Sequence, residues 1–157
     1  MLSSMESSPE EQLAAAARGA AAPYVEYPPT PWWYAPTVGA WTAALVGTFT
    51  WWREDAVLFS VVMVALVAAE GVFLAWMRHR HGALPAPGMG TPPPEIAGEQ
   101  RRYLAALPVM ALVVGLTWWL VGIPAAAGVS FVLVTVGLVG YERRYARAAA
   151  RTRARLP

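Results

Sequence analysis

Glu70 is the residue in this chain with the clearest potential for chemistry. It sits in the apolar run Val67-Ala68-Ala69-Glu70-Gly71-Val72-Phe73, eight residues before Arg78. On a helix that separation is about 12 Å, which puts Glu70 inside the hydrocarbon of a bilayer and a little to one side of its midplane. A lone carboxylate there is costly, so it must be protonated, paired or reached by water. Two kinds of role follow. Titrating in place, Glu70 would be a proton or cation site. Held neutral, it would donate a structural hydrogen bond to Thr42, Ser130, Thr135 or a backbone carbonyl of a neighbouring helix. An arginine on another protein is a further way to pair it.

The other chemically suggestive groups are basic. His79 and His81 lie in the cluster Arg78-His79-Arg80-His81. One residue between them fits neither a helical i,i+4 pair nor a zinc-site spacing, so the cluster reads as a solvated juxtamembrane patch. No metal is expected. Arg143, Arg147, Arg151 and Arg155 recur every four residues and therefore share one face of a helix. Such a face attracts anionic lipid headgroups by about 1 kcal/mol per nearby arginine. It has no interleaved aromatics, so nucleic acid is not expected as a partner. There is no Ser/His/Asp set, paired acid, phosphate loop or histidine-based metal motif. Neither a catalytic residue nor a cofactor is therefore expected, and the chain reads as non-enzymatic. With no cysteine, disulfides and thiol chemistry are excluded.

The elements that would carry these groups are apolar and long. The chain is 57% hydrophobic and 14% charged, against about 25% charged in a soluble domain. Four stretches, 32–52, 56–77, 103–121 and 123–141, are each long enough to cross a bilayer. The expected fold is an all-α integral membrane protein of four transmembrane helices in two helical hairpins, 32–77 and 103–141. A tail 1–31 precedes them, a basic Gly/Pro-rich loop 78–102 joins them, and an Arg-rich helical tail 142–157 follows. Trp32, Trp33, Trp51, Trp52, Trp118 and Trp119 would anchor span ends at the headgroup layer. The pairs bounding the first span would lie about 28 Å apart, close to the ~30 Å hydrocarbon thickness.

Orientation follows from the arginines. Of the twelve arginines, Arg53 alone falls on one side of this connectivity, where Glu54 and Asp55 balance it. The positive-inside rule places both termini in the cytoplasm of a multi-pass protein of the cell membrane. The acidic start, with Glu6, Glu10 and Glu11, is unlike a cleavable signal peptide.

Local signals mark several boundaries. Ser8-Pro9-Glu10-Glu11 predicts a capping box opening a short helix over about 9–18 that stops at Gly19, in an otherwise frayed tail. A stiff Pro/aromatic lead-in over 23–36 would follow. Asp55 is an N-cap for the second span. Gly122 and Pro124 mark the second tight turn, and Pro108 predicts a kink in the third span. Leu45-Val46…Thr50-Trp51-Trp52 recurs as Leu112-Val113…Thr117-Trp118-Trp119. The copies run in the same direction, which is consistent with an internal parallel duplication. Gly39, Ala43 and Gly47 form a small-xxx-small ridge for helix packing.

The expected function is that of a small accessory or structural subunit acting through in-membrane packing. Its partners would be lipids together with a second copy or a larger membrane complex. The alternative is a proton-coupled transporter or channel subunit that uses Glu70.

Overall fold

The computed structural model describes residues 8–26, 30–81 and 91–156. It is all-helical over these residues: α1 (Pro9–Val25), α2 (Tyr34–Thr48), α3 (Ala56–His81), α4 (Pro94–Val121) and α5 (Ile123–Arg155), with a 3-10 turn at Phe49–Trp51. Three of these helices, α3, α4 and α5, are long and apolar enough to cross a membrane. The fourth expected span is a shorter element. Its 15-residue helix α2 is continued by the three-residue 3-10 turn, together about 28 Å long. Residues 82–90 of the predicted 78–102 loop lie outside the described residues, as does the His81 side chain.

Local chemistry explains the helix starts. Ser8 Oγ accepts from the Glu11 amide at 3.2 Å, and the Glu11 carboxylate accepts from the Ser8 amide at 3.0 Å. Asp55 Oδ1 accepts from the Leu58 amide at 2.9 Å, so an orphan donor at the start of α3 is satisfied. Gly122 separates α4 from α5 with φ +112°, a conformation open to glycine and strained for other residues. Pro124 follows in the first turn of α5, where a missing N–H costs nothing.

Two boundaries differ from expectation. Helix α1 does not stop at Gly19 but runs through Gly19 and Pro23 to Val25. The predicted extended lead-in is therefore already helical at its start. An interior proline costs about 3 kcal/mol, and its ring would press on the carbonyl four residues back, here that of Gly19. The last turn offsets this by burying Tyr24 and Val25 in a small cluster with Ile96, Ala148 and Ala149. The Tyr145 hydroxyl donates to the Tyr24 carbonyl at 3.0 Å, and the Arg153 guanidinium donates to the Val25 carbonyl. The earlier turns of α1, with the alanine run 14–17, remain largely exposed. The second difference is in α4, which begins at Pro94, within the expected loop 78–102; it remains helical through Pro108.

The packing differs from two equivalent hairpins. Helix α5 is the hub: its largest interface is with α2 and the next is with α4. Sequence neighbours α2 and α3 meet far less. The copies of the Leu-Val…Thr-Trp-Trp repeat also differ, since Thr50-Trp51 lies in a 3-10 turn and Thr117-Trp118-Trp119 in α-helix. The α2–α5 contact is close because its buried positions are small. They are Ala35, Gly39 and Thr48 on α2, and Ala126 and Ser130 on the apolar half of α5. Without a hydrophobic drive between helices in lipid, such close approach supplies the attraction.

Helix α2 with its 3-10 turn nevertheless lies along α3 from Phe59 to Phe73. At its start Trp33 and Tyr34 meet Phe73, two turns before the end of α3, with ring centroids 6.3 and 6.1 Å apart. Past its end Phe49 meets Phe59 at the start of α3, at 5.4 Å, and Trp118 at the end of α4, at 5.1 Å.

Candidate functional site

Glu70 lies on the one stripe of α3 that is covered. Phe59, Met63, Leu66, Glu70 and Phe73 are half-buried and Met77 is buried, whereas Val57, Val61, Val64, Val67 and Val72 are exposed. The alternating steps of four and three keep the covered residues on one face, and α2 is the helix α3 meets along its length. The Trp41 indole of α2 donates to the Leu66 carbonyl of α3 at 3.2 Å. In a helix that same carbonyl accepts the amide of the residue four later, which here is Glu70. A polar contact thus crosses the α2–α3 seam one turn from the carboxylate.

The hydroxyls expected to accept from Glu70 are not bonded to it. Thr42 donates to the Val38 carbonyl at 2.9 Å and Ser130 to the Ala127 carbonyl at 2.8 Å, each within its own helix. The Thr135 hydroxyl is buried without a hydrogen-bond partner and faces Gly39 across the α2–α5 interface. Among the described residues none donates to the Glu70 carboxylate. Sequence reading did not pick out Trp41, because an indole within an apolar run is indistinguishable from core until its partner carbonyl is placed.

The predicted packing ridge divides. A Cβ added to Gly39 would collide with Thr135 Oγ1 and lie 2.9 Å from the Phe131 carbonyl oxygen, whereas one added to Gly47 would meet nothing within 4 Å. Ala43 is half-buried between them. Among the tryptophans, Trp32 and Trp119 are almost fully exposed and Trp52 is largely so. Trp33 joins a ring cluster with Phe73, and Trp52 and Trp118 join another around Phe49. Trp51 is at the margin of exposure. Trp76 completes the Trp33 cluster, and Arg80 lies 5.7 Å over its ring.

The arginine face also divides. Arg155 pairs with Glu95 of α4, which the Thr152 hydroxyl also approaches at 3.4 Å. Arg143 is exposed, and its carbonyl accepts from Arg147 Nε at 3.2 Å. Arg147 and Arg151 line a cavity of about 580 Å³ between α4 and α5, with Arg102, Arg144, Glu95 and Glu99. Arg102 bonds Glu99 at 2.7 Å. Arg102 and Arg144 escape a four-residue periodicity because only the packing of α4 on α5 brings them to the same place. Glu142 is half-buried beside this end of α5. Burial pushes its carboxyl up from the ordinary value, against a hydrogen bond with Thr30 that favours the charged form. Among the described residues no group of three or more His, Cys, Asp or Glu is placed to hold a metal ion.

The helices define a helical protein with three elements fit to lie in a membrane. Comparison with protein-family models, curated proteins and solved structures finds no match to this chain.

Proposed function

We propose that this chain is a small multi-pass membrane protein in which α2 to α5 all cross the bilayer and both termini are cytoplasmic. It would act without catalysis, as an accessory or structural subunit that packs against a larger membrane assembly. The crossing of α2 is supported by aromatic contacts before its start and past its end with Phe73 and Phe59, fourteen residues apart on α3. The shared side of the termini is supported by the docking of Tyr24 and Val25 on the basic end of α5 and by the arginine distribution.

One observation carries the functional part of this reading. Helix α3 is a full-length apolar helix attached by a thin stripe, and Val57, Val61, Val64, Val67 and Val72 face outward at 55–74% exposure. Lipid alone can cover that face, but an outlying helix with so little contact to its own chain suits a subunit held by a neighbour. Tagged protein extracted from its native membrane in mild detergent should come out in a defined complex with another membrane protein. Enlarging the outward face with Val61→Phe and Val67→Phe should release that partner while leaving α3 inserted. A bare monomer would contradict the proposal. A clean homo-oligomer would favour the second reading, in which Glu70, half-buried with no donor among the described residues, carries a coupled proton along the α2–α3 seam.

A further inference from the structure

The arginine-lined cavity does not stand alone. A second cavity, of about 600 Å³, opens among α2, α4 and α5 and shares Glu99, Arg102 and Arg144 with the first. Its walls beyond those residues are, apart from Thr42 and three tyrosines, apolar and include Val38, Leu107, Met110, Val134, Gly137 and Leu138. From Arg102 to Met110 is eight residues, so the trough descends about 12 Å from the arginines toward the bilayer centre. Tyr103 and Tyr141, with ring centroids 4.8 Å apart, stand at the neck between the two parts. The polar cavity carries excess positive charge. Glu99 is engaged by Arg102 and Glu95 by Arg155. Among the described residues, Arg144, Arg147 and Arg151 have no carboxylate within salt-bridge distance.

From these joined cavities we infer that the chain has a binding site for one anionic phospholipid. The phosphate would sit among Arg144, Arg147 and Arg151, and an acyl chain would run down the trough between α2 and α4. The charge selects an anion, since guanidinium groups hold phosphate oxygens through several directed hydrogen bonds. The contiguous apolar trough selects an amphiphile over a free phosphate. A basic pocket between membrane helices at the positively charged face is where anionic headgroups bind. This inference needs α4 and α5 to lie in a bilayer but is independent of any protein partner. It also differs from a general attraction of the basic face for lipid, because Arg143 and Arg155 have no part in it.

The test is thermal unfolding of the purified full chain in a neutral detergent, titrated separately with phosphatidylglycerol, phosphatidylcholine and inorganic phosphate. Phosphatidylglycerol should raise the melting temperature saturably, and the other two should leave it unchanged. Arg147→Gln with Arg151→Gln should weaken the phosphatidylglycerol effect about 30-fold, from two arginine contacts. Arg143→Gln should leave it intact. Gly137→Leu probes the trough, because a Cβ at Gly137 meets only Met110, at 3.8 Å, and longer atoms would extend into the apolar space. That variant should melt like the parent without lipid and bind phosphatidylglycerol more weakly. Equal stabilisation by phosphatidylcholine would overturn the proposal, as would stabilisation by inorganic phosphate alone. So would an Arg143→Gln loss equal to that of the double variant, or full binding by Gly137→Leu.

Discussion

Replacing Gly39 with leucine separates α2 from α5 and removes the largest helix interface in the protein. Even alanine is crowded there. Its Cβ would collide with Thr135 Oγ1 and sit 2.9 Å from the carbonyl oxygen of Phe131, and the second of these is backbone that cannot rotate away. Overpacking of this kind costs about 1–3 kcal/mol, against which the better helix propensity of alanine returns about 1 kcal/mol. Gly39→Ala should therefore lower the melting temperature in detergent, and Gly39→Leu should abolish a cooperative transition. Gly47 supplies the control on the same ridge. Nothing lies within 4 Å of its Cβ position, so Gly47→Ala should be neutral or slightly stabilising. Equal losses at both positions would mean that α2 packs by a different face.

Leu112→Arg should cut membrane insertion of α4 about 100-fold or more. Leu112 is 61% exposed and lies midway along the apolar part of α4. On an insertion scale, leucine to arginine at a helix centre changes the free energy by about 3–4 kcal/mol. In water the same substitution at an exposed position would be worth within about 0.5 kcal/mol and would improve solubility. The two solvents therefore predict opposite results. Resistance of the variant to alkaline extraction from membranes, compared with Leu112→Val, reads the difference.

Much of the helical skeleton was legible because it is written locally. The Ser8–Glu11 capping box, the Asp55 cap and the glycine at position 122 each act within a few residues, so spacing alone reveals them. The apolar runs that become α3, α4 and α5 are equally plain. What spacing cannot reveal is which partner a helix chooses. Gly39 and Gly47 look equivalent in a small-xxx-small ridge, yet only one of them meets α5 at close range. The order of helices along the chain suggested that α2 pairs with α3, whereas small side chains at Ala35, Gly39, Ala126 and Ser130 let α2 and α5 approach more closely. Tyr24 read as part of an interfacial aromatic segment, and its buried role exists only once α5 extends far enough to receive it. The four-residue arginine stripe likewise described one face of α5. The cavity is built across two helices and takes Arg102 and Arg144 from outside that stripe.

The proposed arrangement in the membrane rests above all on the crossing of α2, and single-cysteine labelling tests it most directly. The chain has no cysteine of its own, so Ala15→Cys in α1, Glu54→Cys in the α2–α3 turn and Ala150→Cys in α5 each give an unambiguous probe. With an impermeant maleimide on intact cells, Glu54→Cys should label, and Ala15→Cys and Ala150→Cys should label only after lysis. Labelling of Ala15→Cys together with Glu54→Cys from outside would mean that α2 does not cross and that three helices, not four, span the membrane.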